Sequence, residues 1–157
     1  MTLTREQIES MPAGRDLDAL VAEKVIGISV KWLDCGDGRF PYKQTTLARN
    51  NQLMKSGDTP VGLRPEGDIP EYSTDISAAW EVVEKIKDNP KYGGDFAVHF
   101  MRSPYRKPPS WWAGFYSSDY DNCFQFPWSE AETAALAICR FALLSITPEN
   151  VQAEGSD

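Results

Sequence analysis

Residues 72–101, "YSTDISAAWEVVEKIKDNPKYGGDFAVHFM", change their hydrophobic period once. In the first half Ile76, Ala79, Trp80, Val83 and Ile86 fall three and four apart, with Glu81, Glu84, Lys85 and Lys87 between them. That spacing predicts an amphipathic helix with one apolar stripe, Trp80 being its expected packing anchor. Ser73, Thr74 and Asp75 each offer an oxygen to the first free N–H groups of that helix. An aspartate there repels an anion that would otherwise use the helix end, so these residues read first as a helix start and only second as a ligand site. Asn89-Pro90 closes the helix, because the residue before proline avoids helical geometry.

In the second half the period is two. "DFAVHFM" puts Phe96, Val98 and Phe100 on one face and Ala97, His99 and Met101 on the other. "WWAGFY" and "NCFQF" are two further strand candidates, separated by the turn-rich "SPYRKPPS" and "SSDYD". Three strands in succession predict an antiparallel meander. The fold class is therefore α+β, a small antiparallel sheet packed by helices in the manner of an α/β/α sandwich.

Outward from this block the helical signals continue. Toward the C-terminus, Ser129 with Glu132 has capping-box spacing, and "AETAALAICRFALLSI" from Ala131 to Ile146 is apolar on most faces. Arg140 is its only charge after Glu132, so this helix is expected to be buried. Toward the N-terminus, Thr4 and Gln7 form a second box, and Pro12 and Gly14 end that short helix. "RDLDALVAEKVIG" sets Leu17, Leu20, Val21 and Val25 at helical spacing, with Gly27 as the cap. From Ile28 to Pro70 the signals weaken to a short strand in "ISVKWL", a short helix around Leu47 to Met54, and a Pro- and Gly-rich run. The expected organisation is one domain over 1–148, with an irregular excursion at 28–71 and a polar tail at 149–157.

Composition narrows the partners. The 157 residues are 41% hydrophobic and 25% charged, ordinary for a globular domain. A net charge of −7 repels nucleic-acid phosphates, so general nucleic-acid binding is not expected. No run approaches the ~20 apolar residues that cross a bilayer, so no membrane partner is expected. The polar N-terminus does not read as a signal peptide, and Cys35, Cys123 and Cys139 are expected as reduced thiols in a cytosol.

Little catalytic chemistry is spelled out. One histidine and three scattered cysteines do not supply four zinc ligands. "DCGDG" lacks the later glutamate of a calcium loop and reads as a glycine turn. No nucleotide-loop motif is present, and no cofactor is expected. Cys139 reads as a core thiol and His99 as a structural histidine. The better signal is basic and aromatic. "MRSPYRKPPSWW" gathers Arg102, Tyr105, Arg106 and Lys107 beside Trp112, and the excursion adds Lys31, Trp32, Arg39, Tyr42 and Lys43. Guanidinium groups grip phosphates and aromatic rings stack on bases. The ligand-binding candidates are Trp32, Arg39, Tyr42, Lys43, Arg102, Tyr105, Arg106 and Trp112. The competing reading is a solvated basic turn above core tryptophans.

"LDALVAEKVIG", "YSTDISAAWEVVEKI", "WWAGF" and "LAICRFALLSI" together, in this order, resemble the phage α-β-α sandwich domain family of small phage proteins. The chain departs from the shorter family pattern between Ile28 and Pro70. The resemblance implies helices on a small antiparallel sheet, phage or prophage origin, and action in the bacterial host cytoplasm. It implies no reaction. The expected function is that of a phage accessory protein that binds, sequestering a nucleotide-like immune signal. The alternatives are a protein–protein inhibitor of a host enzyme and a metal-dependent nucleotide hydrolase. An apolar strip on the sheet edge or on the Trp111-Trp112 strand would make a homo-oligomer natural.

Overall fold

Helix starts follow their local caps. A computed structural model describes residues 2–34, 38–55, 67–90, 92, 94–102, 108–117 and 123–147. Helix α1 (Arg5–Ser10) opens with the expected box: Gln7 N donates to Thr4 Oγ1 at 3.2 Å and Thr4 N donates to Gln7 Oε1 at 2.9 Å. Helix α2 (Arg15–Val21) begins after Gly14 and runs on as a π-helical turn, Ala22–Ile26. Gly27 ends it at φ 86°, a left-handed conformation that glycine adopts without a Cβ penalty.

The excursion is more regular than expected. Strands β1 (Val30–Asp34) and β2 (Arg39–Lys43) pair antiparallel with Trp32 opposite Pro41, and β2 leads directly into helix α3 (Gln44–Lys55). Pro41 obscures the second strand in the sequence. A two-stranded ribbon tolerates it because each strand keeps one edge without a ladder.

Helix α4 (Ile76–Ile86) starts at Asp75, whose Oδ1 accepts from Ser77 N at 2.8 Å. Its buried face is Ala78, Ala79, Val82, Val83 and Ile86, whereas Ile76 and Trp80 are each 50% exposed. Trp80 is thus not the anchor its spacing suggested. The two stripes share Ala79, Val83 and Ile86, and packing against the rest of the fold chooses the phase.

Strands β3 (Asp95–Met101), β4 (Ser110–Ser117) and β5 (Cys123–Ala131) form the expected meander in the order β3-β4-β5. The strand β5 reaches further than expected. Ser129, Glu130 and Ala131 pair with Ala113, Trp112 and Trp111, so the Ser129–Glu132 box does not form. Ladder pairing outcompetes a cap available to the same residues. Helix α5 (Ala134–Ile146) is capped instead by Thr133, whose Oγ1 accepts from Leu136 N at 3.2 Å.

Every residue of α5 from Ala135 to Ser145 is buried. The helix lies against β4 and β5 on one side and touches α1, α2, α4 and the π-helical turn on others. The result is a single-domain α+β sandwich with two small antiparallel sheets. Phe141 joins Phe96, Phe115 and Tyr92 in an aromatic cluster, with Tyr92 and Phe115 stacked at 4.7 Å. Such pairs add about 1 kcal/mol beyond their area. The buried Arg140 is held by Met11 O, which accepts from Nε at 3.2 Å and Nη2 at 2.8 Å, and by Glu130 O, which accepts from Nη1 at 3.3 Å.

Candidate functional site

A groove runs between the β1–β2 hairpin, the start of α2 and the segment 67–78. Its smaller part, about 470 Å³, is lined by Gly14, Arg15, Asp16, Trp32 and Arg39. Its larger part, about 730 Å³, continues past Arg15 along Phe40, Pro41, Glu71, Asp75 and Ala78. Both volumes suit a small-molecule ligand.

The hairpin and the start of α2 together present two guanidinium–aromatic pairs at this groove. Arg39 sits over the Trp32 ring at 5.6 Å from its centroid, and Arg15 sits over the Phe40 ring at 4.4 Å. Each ring steadies a cation. Arg15 Nη1 donates to the Arg39 carbonyl at 3.3 Å, which ties α2 to β2. Arg39 also lies 3.6 Å from Asp34, an exposed and weak pair.

The opposite wall is built from backbone. Gly67, at φ 85°, passes so close to the hairpin that a Cβ there would lie 2.1 Å from Pro41 O. Asp68 follows it and accepts from Lys43 N at 2.6 Å and Thr46 Oγ1 at 2.5 Å. Further on, Ser73 joins the wall to α2. Its N–H donates to Asp18 Oδ1 at 2.7 Å, and its Oγ accepts from Gly14 N at 2.9 Å. Burial pushes the Asp18 carboxyl above the ordinary carboxylate range; the Ser73 hydrogen bonds oppose this and the charge of Glu71 adds to it.

Of the residues expected to bind, Trp32 and Arg39 meet in this groove. Tyr42 is enclosed at 1% exposure, and Lys43 is half-buried at the end of β2. Arg102 is exposed just beyond β3. Trp112 lies on the sheet face turned away from α5, stacked on Trp128 at 4.3 Å and 3°. Neither Arg102 nor Trp112 lines the groove. Tyr105 and Arg106 lie outside the described residues, as does Cys35 of the "DCGDG" turn. Arg15, Phe40 and Glu71 were not singled out in the sequence. Arg15 follows a glycine at a helix start, which is a weak signal for a ligand. Phe40 and Glu71 carried none.

The nucleophile candidates stay apart. Cys139 is fully buried on α5, where burial pushes its thiol far above the ordinary range. His99 is exposed on the outward sheet face, its ring 5.2 Å from that of Tyr116. Among the described residues no group of three or more His, Cys, Asp or Glu side chains could hold a metal ion. None of the described helices is long and apolar enough to cross a membrane.

The chain belongs to the phage ABA sandwich domain family, whose model matches residues 19–143. That match includes the hairpin and the wall containing Glu71 and Asp75, and begins after Arg15 and Asp18. No curated protein and no solved structure matches the chain.

Proposed function

We propose that this phage-family domain is a binding protein of the host cytoplasm that sequesters a nucleotide-like immune signal in the groove at Arg15, Trp32 and Arg39. The observation that supports this most directly is that Arg15 and Arg39 both line the smaller pocket beside Trp32, each guanidinium set over an aromatic ring. Arginine forks suit a phosphate, and an indole face suits a base. Titration calorimetry with nucleoside monophosphates and cyclic dinucleotides tests the reading. Micromolar binding that Arg15→Ala and Arg39→Ala each weaken about tenfold supports it. No heat from any of them at high micromolar concentration overturns it.

A second reading has its own observation. The outward face of β3–β4–β5 carries the Trp112–Trp128 stack beside exposed His99 and Met101. Half-buried tryptophans on an uncovered sheet face suit a protein partner, whether a host enzyme that is inhibited or a second copy of this chain. Capture of one stoichiometric host protein that Trp112→Ala abolishes would favour it, and light scattering separates self-association from a host partner.

A further inference from the structure

The groove has two chemically unlike ends. At one end lie Arg15, Arg39 and Trp32, with the single carboxylate of Asp16. At the other lie four carboxylates, of which two are committed elsewhere: Asp68 holds Lys43 N and Thr46, and Asp18 is buried against Ser73. Glu71 and Asp75 differ. Asp75 uses Oδ1 to cap α4, and among the described residues neither its Oδ2 nor the Glu71 carboxylate accepts a hydrogen bond. Arg15 lines both parts, which places the acidic part next to a ligand gripped at Arg15.

Resting on the nucleotide reading of the groove, we propose that Glu71 and Asp75 read the free 2′- and 3′-hydroxyls of a ribose, so that the site takes 5′-phosphorylated ribonucleosides and rejects ligands esterified at those positions. An ionised carboxylate accepts hydrogen bonds and donates none, which matches it to a diol. The same charge repels a second phosphate placed there. Glu71 and Asp75 are exposed, hydrogen bonds to a charged acceptor are among the stronger ones, and a ligand lacking the hydroxyls forgoes them. Phe40, Pro41 and Ala78 give the larger part an apolar wall that suits a sugar ring beside the carboxylates.

Calorimetry with AMP, 2′,3′-dideoxy-AMP, adenosine 3′,5′-bisphosphate and a 3′,5′-linked cyclic dinucleotide tests this on the wild-type chain. AMP is expected to bind roughly tenfold more tightly than the dideoxy compound and than the bisphosphate. Glu71→Gln should shrink the AMP-to-dideoxy ratio severalfold without weakening the dideoxy compound. Asp75→Asn should do the same while keeping the helix cap, since asparagine caps as well as aspartate. Equal binding of AMP and the dideoxy compound overturns the hydroxyl assignment and leaves the nucleotide reading standing. So does a cyclic dinucleotide that binds more tightly than AMP. Absence of binding by all four overturns the nucleotide reading, and this inference with it.

Discussion

Arg140 donates two hydrogen bonds to the carbonyl oxygen of Met11, a residue 129 positions earlier in the chain. A third, from Nη1 at 3.3 Å, goes to the carbonyl of Glu130 at the end of β5. One buried guanidinium therefore fastens the N-terminal arm to the last helix and the last strand. Lysine cannot reproduce this fork, and an apolar replacement strands two carbonyls. Arg140→Leu is expected to cost about 3 kcal/mol in urea unfolding and Arg140→Lys nearly as much. A change below about 0.5 kcal/mol would contradict the clamp.

Gly67 makes the groove depend on a backbone position. Its φ of 85° and the 2.1 Å approach of a built Cβ to Pro41 O leave no room for alanine. Gly67→Ala should cost about 2 kcal/mol in stability through left-handed strain and a displaced wall. It should also weaken ligand binding in the groove, read by calorimetry on the folded variant.

Asp18 gives a pH signature. Its carboxyl is held above the ordinary range in the fold, so the unfolded chain loses that proton first as pH rises. The stability linked to Asp18 is full below the unfolded value and is lost as pH climbs through the folded one. Asp18→Asn keeps an acceptor for Ser73 N and removes the titration. Unfolding free energies measured at about pH 3 and about pH 6 should shift in favour of the variant at the higher pH. Parallel curves would contradict this.

Trp80 and Val82 invert the ordinary expectation for residue size. Trp80 is 50% exposed and Val82 is fully buried. Val82→Ala should cost about 2 kcal/mol, while Trp80→Ala should cost under about 1 kcal/mol. Thermal denaturation of the two variants side by side reads the difference.

Cys139 should be inert. It has no exposed surface, and its thiol is pushed strongly upward by burial. Iodoacetamide at neutral pH should leave Cys139 unmodified in the native protein and alkylate it fully in urea, as read by mass spectrometry of the α5 peptide.

The features legible in the sequence are those carried by signals a few residues long. The start of α4 falls within Ser73–Asp75, with Asp75 the cap among those three, Gly27 ends the π-helical turn, and the alternation of Phe96, Val98 and Phe100 sets the faces of β3. Signals that depend on a competitor were misread. Ser129 and Glu132 have cap spacing, but Ser129 is already paired across to Ala113. The groove was half legible. Trp32 and Arg39 lie two positions out of register on one hairpin, so a local basic-aromatic composition found them. Arg15 arrives from a separate helix and Glu71 from the far wall, and no local pattern brings those together. Tyr42 shows the reverse: its ring type fits a ligand site, yet its place in the strand turns it inward.

The buried state of α5 makes that helix a remote reporter. A helix with no solvent-facing side from Ala135 to Ser145 cannot release its amide protons by fraying or by a small local opening. Its slowest-exchanging amides should report an opening free energy equal to that of global unfolding. Any ligand that binds only the native chain then slows those amides by the full factor of 1 + [L]/Kd, wherever on the molecule it sits. Exchange protection of α5 thus measures the affinity of an unidentified ligand before its site is known.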